Sequence, residues 1–446
     1  MPEKNSDELI CFSSPDSDSG YVEVPPTPLY HSLTTNIPHP LMTFHDFPFP
    51  PSTPLYPHAS VVLNYLRSYA DHFDLRKYIR FNARVISLER DEANDRWEIR
   101  LSSTPGSSLY FDSVVLCHGR FREPQFPEIA GLRDWNNSGR TSMHSIYYRE
   151  PSGFRNQRVL VVGAGPSGED ISSDISRTAA LVLQSCTRTR RLNNPLVEQR
   201  PRLIELRPKD GAAIYEDGTS DSDIDAVVFA TGYKYSFPFF PPLHPLAFYD
   251  TTNPIPPHLF NSSCHVHPLA RHIFPLHDVP PNKLAFMSLL YKVAPFPIFE
   301  DQAHAIASVF LGKHKLDEER ERLLIERRFK VLEVLYNGDP RQIAKNWHVV
   351  PENDPELEDQ YQYRVDLLEI SGSDSFPPPP PWNREIYLQK NKLRPLWVDI
   401  ERRGIADQVL EGLGKGGEHE WVEFMYNLLG GTHGTTLSSI RERNSD

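Results

Sequence analysis

The sequence predicts an α/β protein organised around a dinucleotide-binding strand-turn-helix, with a helical C-terminal third. Three observations carry this. An apolar strand runs into Gly163-Ala-Gly165-Pro-Ser167-Gly168 and on into a helix; short apolar strands recur on both sides of it; beyond residue 300 the apolar spacing becomes helical. A chain of 446 residues has room for about three domains, or for one large enzyme with an inserted module.

In chain order, Met1–Ser19 is rich in Ser, Asp, Glu and Pro and has no apolar run, so it reads as neither a signal peptide nor core. Closely spaced prolines from Pro25 to Pro57 forbid a central strand or a long helix and imply an extended segment. Val61–Tyr69 has helical spacing, and Tyr78–Phe81, Arg84–Glu89 and Trp97–Leu101 read as a meander of strands. Ser113–Cys117, Arg158–Val162, Ala180–Gln184 and Ala226–Ala230 are short apolar strands. A second proline zone runs from Pro238 to Pro297. Asp301–Leu311, Glu318–Tyr336, Glu356–Ile370, Arg394–Ile400 and Glu418–Leu429 carry helical spacing with charged outer faces. The five-proline run Pro377–Pro381 reads as a stiff connector or as a docking site for a partner's aromatic groove.

Composition excludes several classes. Lys plus Arg total 47 against 59 Asp plus Glu, and a net charge of −12 has the wrong sign for a chain whose main partner is nucleic acid or an anionic membrane. No run approaches the roughly 18 apolar residues of a spanning helix. Cys11, Cys117, Cys186 and Cys264 lie far apart without a CxxC pair, which argues against a zinc site, a disulfide framework or a dithiol redox centre. A reducing compartment, the cytoplasm, is the expected location.

The glycine motif is the most specific chemistry on the chain. Gly163 permits a tight turn, Gly165 lets a pyrophosphate approach the backbone, and Gly168 lets helix pack closely on strand, with Ser167 in the first helical turn. Which dinucleotide binds is decided about 20 residues on, where an acid would take a free ribose and a base a 2′-phosphate. Leu183-Gln-Ser185-Cys-Thr187-Arg188 has no acid there. Arg188 can fork onto the phosphate and Ser185 and Thr187 can donate to it, so NADPH is expected over NADH; Arg190 and Arg191 also suit a solvated basic loop.

Pro28-Leu-Tyr30-His-Ser-Leu-Thr-Thr35-Asn36-Ile-Pro38 and Asp46-Phe47-Pro48-Phe49-Pro50 resemble a segment of the flavin-containing monooxygenases, the fungal type above all. His118-Gly119, His144-Ser145 with Tyr148, Phe229-Ala230-Thr231-Gly232-Tyr233 and Ala294-Pro-Phe-Pro297 with Glu300 and Gln302 are similar to further motifs of that family, over about residues 25 to 430.

The resemblance implies two Rossmann-like domains, an NADPH domain at 140–228 inserted in a larger FAD-type domain at 25–139 and 229–446, after an atypical segment 1–24. It implies FAD and NADPH as cofactors, molecular oxygen and a small amine or sulfide as partners, and a homodimer as a candidate assembly, the oligomeric state itself not being legible in the chain. Asn36 matches the family asparagine beside the flavin, as a donor to activated oxygen, although turn chemistry before Pro38 explains it too. His144 is expected to be structural, and Thr231 and Gly232 to shape a turn beside a cofactor.

Two departures stand out. Ser138 and Arg140 occupy positions where the family's identifying motif has an aromatic residue and glycine, with Trp135 and Gly139 out of register. The family's first strand-GxGxxG-helix also has no counterpart before Pro28. The expected activity is therefore NADPH-dependent oxygenation at nitrogen or sulfur. The rival is a truncated NADP(H)-binding protein without flavin or turnover, and a Baeyer–Villiger oxygenase is a lesser alternative.

Overall fold

The computed structural model describes residues 27–104, 106–187, 194–247, 259–352, 354, 356–372 and 377–430. They form two compact units. One is Pro124–Gly232 with the described residues up to Tyr30; the other is His31–Glu123 with the described residues from Tyr233 on.

The first unit is built on a five-stranded sheet, ordered Thr141–His144, Ala226–Phe229, Arg158–Val162, Leu181–Ser185, Val197–Arg200. Every pair in it is parallel. A parallel sheet must be covered on both faces, and its central strands are accordingly continuous apolar runs: Val159 to Val161 and Ala226 to Phe229 are fully buried. Helix Pro166–Ile175 carries Ile171 and Ile175, four apart and both buried. A three-stranded antiparallel sheet, Leu203–Arg207, Ala212–Tyr215 and Ser220–Asp221, contributes Leu203, Leu206, Ala213 and Tyr215 to a core shared with Leu160, Val162, Leu183, Val227 and Phe229.

This unit begins and ends outside the expected limits of 140 and 228. The segment from Pro124 is tied in by Phe126, which packs on His144 and Phe229, and by an exchange of backbone hydrogen bonds between Ala130 and strand Leu203–Arg207. Arg140, a departure in the sequence motif, is a half-buried clamp: Nε donates to Pro208 O and Nη1 to Ile224 O, both at 2.8 Å, with the guanidinium 5.2 Å from the Trp135 ring centroid.

In the second unit a meander does form, but from Val85–Asp91, Arg96–Leu101 and Ser108–Phe111. Tyr78–Phe81, expected to be strand, instead ends a 3-10 turn at Leu75–Tyr78 and continues as loop, with Tyr78 and Phe81 exposed. Its alternation had no partner strand to bury against. Val114–Leu116 pairs in parallel with Leu284–Phe286. The helices are Ala59–His72, Pro295–Phe310, Glu318–Leu335, Pro340–Asn346, Gln360–Ser371, Pro381–Leu388, Lys390–Arg402, Ala406–Leu410 and Glu418–Leu428 among the described residues. Helix Pro295–Phe310 starts six residues before its expected Asp301, inside the second proline zone. Pro295 and Pro297 stand in its first turn, where the missing N–H groups would have had no intrahelical acceptor. No helix among the described residues is long and apolar enough to cross a membrane.

Candidate functional site: a glycine turn held from three sides

Strand Arg158–Val162 delivers the chain to Gly163, whose φ of +115° suits glycine. A Cβ there would lie 2.3 Å from Ala230 O. Gly163 N donates to Ser185 O at 2.9 Å, and Gly163 O accepts from Gln184 Nε2 at 3.1 Å. Gln184 is buried, so a carboxamide on the second strand fixes the first peptide of the turn. A Cβ on Gly168 would meet Gly163 O at 2.2 Å, the close helix-on-strand contact that glycine allows.

Gly165 is different. Its φ is −78° and its ψ −178°, and a Cβ would have nothing within 4 Å. Glycine here leaves open space in front of an exposed backbone. Gly165 is also the N-cap of helix Pro166–Ile175, which has no side-chain cap, so the orphan N–H groups and positive dipole end around Ser167 and Gly168 face an anion site. This cradle fits a dinucleotide pyrophosphate.

The helix is held in place by two tyrosines. Tyr148 Oη donates to Asp174 Oδ2 at 2.7 Å and Tyr30 Oη to Asp170 Oδ2 at 2.8 Å, and the two rings meet edge to face at 5.6 Å. Burial, then the bond to Asp174, drives the Tyr148 hydroxyl pKa far up, so it stays a donor. Sequence reading missed Gln184, Asp170 and Asp174. An acidic pair four apart on an otherwise packed helix was the available signal.

His144 is buried, and burial pushes its pKa down to about 4. Its Nδ1 accepts from Ile146 N at 3.2 Å, which leaves Nε2 to donate to Gly232 O at 3.0 Å. A neutral imidazole committed at both nitrogens is a structural strut. Gly232 has a φ of +83°, its carbonyl also accepts from Gln125 N at 3.0 Å, and Thr231 Oγ1 donates to Gln125 O. Ala230 N in turn bonds Val162 O at 2.8 Å, so the Ala230-Thr231-Gly232 turn abuts the glycine turn.

At the end of the second strand the expected donors separate. Ser185 is buried; its Oγ donates to Pro201 O at 2.8 Å and accepts from Leu203 N at 2.9 Å. The expectation that it donates to a ribose phosphate is corrected: both its roles are taken by the neighbouring hairpin. Thr187 is exposed just past the strand, and Arg188 lies outside the described residues, as do Arg190 and Arg191.

Asn36 belongs to the other unit, where it is exposed between anchored neighbours. Thr35 N donates to Pro57 O at 3.0 Å, Thr35 Oγ1 to Ile37 O at 2.8 Å, and Arg394 Nη2 to Thr34 Oγ1 at 2.9 Å. These bonds define its backbone and leave its amide at the surface. Among the described residues no cluster of three or more His, Cys, Asp or Glu is placed to hold a metal ion.

A parallel sheet with a glycine turn between strand Arg158–Val162 and helix Pro166–Ile175 is a Rossmann-like fold. The flavin-binding monooxygenase-like family model matches residues 19–194 and 191–334, and the chain belongs to that family. It is 31% identical over 358 residues to the flavin-containing monooxygenase FMO GS-OX-like 2 of Arabidopsis thaliana, covering 75% of this chain and 72% of that one. Among solved structures it is similar to S-allyl-L-cysteine S-oxygenase from Allium sativum, with a TM-score of 0.71, 25% identity, and 94% of this chain and 89% of that one covered. Cyclohexanone monooxygenase shares the fold, with a TM-score of 0.55 at 14% identity over 79% of this chain and 91% of that one. By family the chain is an oxidoreductase, a flavin-dependent monooxygenase.

Proposed function

We propose that the chain is an NADPH-dependent monooxygenase that places one oxygen atom on a soft nitrogen or sulfur of a small molecule, with thioethers as the first substrates to test. The observation that carries the nucleotide half is the open, uncapped turn at Gly165, set between two glycines that no other residue could replace without a backbone clash. In this reading the Gly163–Gly168 backbone, with Ser167, holds the pyrophosphate. Thr187 and Arg188 read the 2′-phosphate. Thr231 and Gly232 shape the turn beside the bound cofactor. Asn36 offers its exposed amide as a donor to oxygen at the flavin.

FAD enters through the family; when bound, it supplies two-electron exchange with the nicotinamide and activation of oxygen. The preference for sulfur rests on the S-oxygenase likeness. Thiols at Cys117 and Cys264 suit a reducing, cytoplasmic setting.

The test is the purified chain, supplied with FAD and assayed for NADPH consumption with a thioether, a tertiary amine and a cyclic ketone. Sulfoxide formed in step with NADPH use supports the reading. Lactone from the ketone would move it to Baeyer–Villiger chemistry. NADPH binding with neither a flavin spectrum nor oxygenated product would leave the flavin-free rival.

A further inference from the structure

The run Pro377–Pro381 takes no part in the chemistry above. Proline fixes φ near −65°, and a residue that precedes proline is driven to extended ψ, so Pro377, Pro378, Pro379 and Pro380 are each confined to polyproline II geometry. Pro380, at φ −65° and ψ 148°, shows it. Such a helix has three residues per turn, so positions three apart share a face. Pro377 and Pro380 are both exposed, and so are Pro378 and Pro381. Pro379, on the third face, is half-buried and lines a cleft with Tyr361, Val365 and Leu388, which Pro380 and Pro381 also border. Pro379 is the most enclosed of the five; the rings of Pro377 and Pro378 are exposed and lie outside the cleft lining.

The ridge is also anchored downstream. Pro381 opens helix Pro381–Leu388, Asn383 N donates to Pro380 O at 3.0 Å, and Ile386 and Tyr387 are buried, with Tyr387 Oη donating to Lys292 O at 2.6 Å. A ligand held in its bound shape loses little conformational entropy on docking.

We propose that Pro377–Pro381 is a docking ridge for a protein partner with an aromatic-lined polyproline groove. Charge narrows the partner further. No Lys or Arg occurs in the six residues before Pro377, and the first cation after the run, Arg384, is 2.7 Å from Asp359. A groove that needs a flanking cation for an acidic pocket, as SH3 domains commonly do, finds that nearest cation already engaged by Asp359. The partner reads bare proline rings, as WW and EVH1 domains do.

The whole chain is titrated against isolated, isotope-labelled WW, EVH1 and SH3 domains, following the resonances of each groove. Saturable binding by a WW or EVH1 domain is expected. The double substitution Pro377→Ala, Pro378→Ala should weaken it at least about tenfold while leaving thermal unfolding of the chain unchanged. No saturable binding by the WW and EVH1 domains, equal binding of the substituted chain, or tighter binding by an SH3 domain would each overturn the proposal.

Discussion

The two units bury different chemistry. Around the glycine turn the interior is apolar strand; the buried Gln184, Ser185 and His144 are spent on backbone partners, and the buried Asp174 carboxylate on the Tyr148 hydroxyl. The helical unit buries charge and imidazole. Arg271 is enclosed with Glu321 and Asp366, and His265, His267, His272 and His348 are gathered around Trp347. A site built from backbone and missing side chains asks its surroundings for rigidity, which buried hydrogen bonds to carbonyls supply. A core built from titratable groups is instead conditional on pH.

Acid should load the second unit more heavily, through these four imidazoles against His144 in the first. Burial pushes His265 down to about 3 and His267 to about 4, and holds His272 and His348 well below the ordinary imidazole range. The Nδ1 atoms of His272 and His348 are 3.0 Å apart and share one proton at most. In the unfolded chain each imidazole takes a proton near pH 6.5. Between there and about pH 4 the unfolded state binds more protons, so stability falls as pH falls, by about 1.4 kcal/mol per pH unit for each such proton. Glu358, raised to about 7 by burial, works the other way: its folded form holds a proton that the unfolded carboxylate releases above about pH 4.5, which offsets one histidine. The net expectation is a urea midpoint, followed by tryptophan fluorescence, that declines steadily from pH 6.5 to 4. Trp347, 4.6 Å from the His267 ring, is placed to report it. A flat midpoint over that range would show that the imidazoles are not held neutral.

Next in size is the buried ion network. Arg271 Nε lies 3.1 Å from Glu321, and its Nη1 bonds Asp366. Arg271→Met leaves both carboxylates enclosed without a cation and should cost about 3–5 kcal/mol in chemical denaturation. Replacing Arg271, Glu321 and Asp366 together by apolar residues should recover much of that loss. If the triple substitution is no more stable than the single one, desolvated charge is not the cause.

The glycine turn gives the smallest change in stability and the sharpest functional contrast. Gly163→Ala drives a methyl against Ala230 O at a φ of +115° and should cost about 2–4 kcal/mol, with loss of NADPH binding. Gly165→Ala meets open space at an ordinary φ, so stability should change by less than about 0.5 kcal/mol. Its methyl would nonetheless stand where the pyrophosphate approaches, and NADPH affinity should fall at least about tenfold. Unchanged affinity in Gly165→Ala would mean that the ligand does not lie across this turn.

What was legible in the sequence was local. Strand Arg158–Val162 and its helix have the periodicity, the glycines and the buried Ile171 and Ile175 all within twenty residues. Ser185 was misread because its hydroxyl partners, Pro201 and Leu203, lie 16 and 18 residues on, in a hairpin whose short strands carry little periodic signal. The imidazole cluster needs His348 brought 76 residues back to His272, and no local pattern announces that. Short helices such as Pro340–Asn346 and Pro381–Leu388 hid behind the prolines that start them.

The tyrosine bonds to Asp170 and Asp174 reach one helix at points a full turn apart. Two such tethers stop the helix from rolling about its axis or sliding along it, which a single tether could not do. In the proposed reading, grip and choice are housed on separate stretches of chain: the cradle moves with the tethered helix, whereas Thr187 follows strand Leu181–Ser185. In that reading a redesign of coenzyme preference exchanges residues 187–193, keeps the buried Cys186, and leaves the cradle's aim untouched.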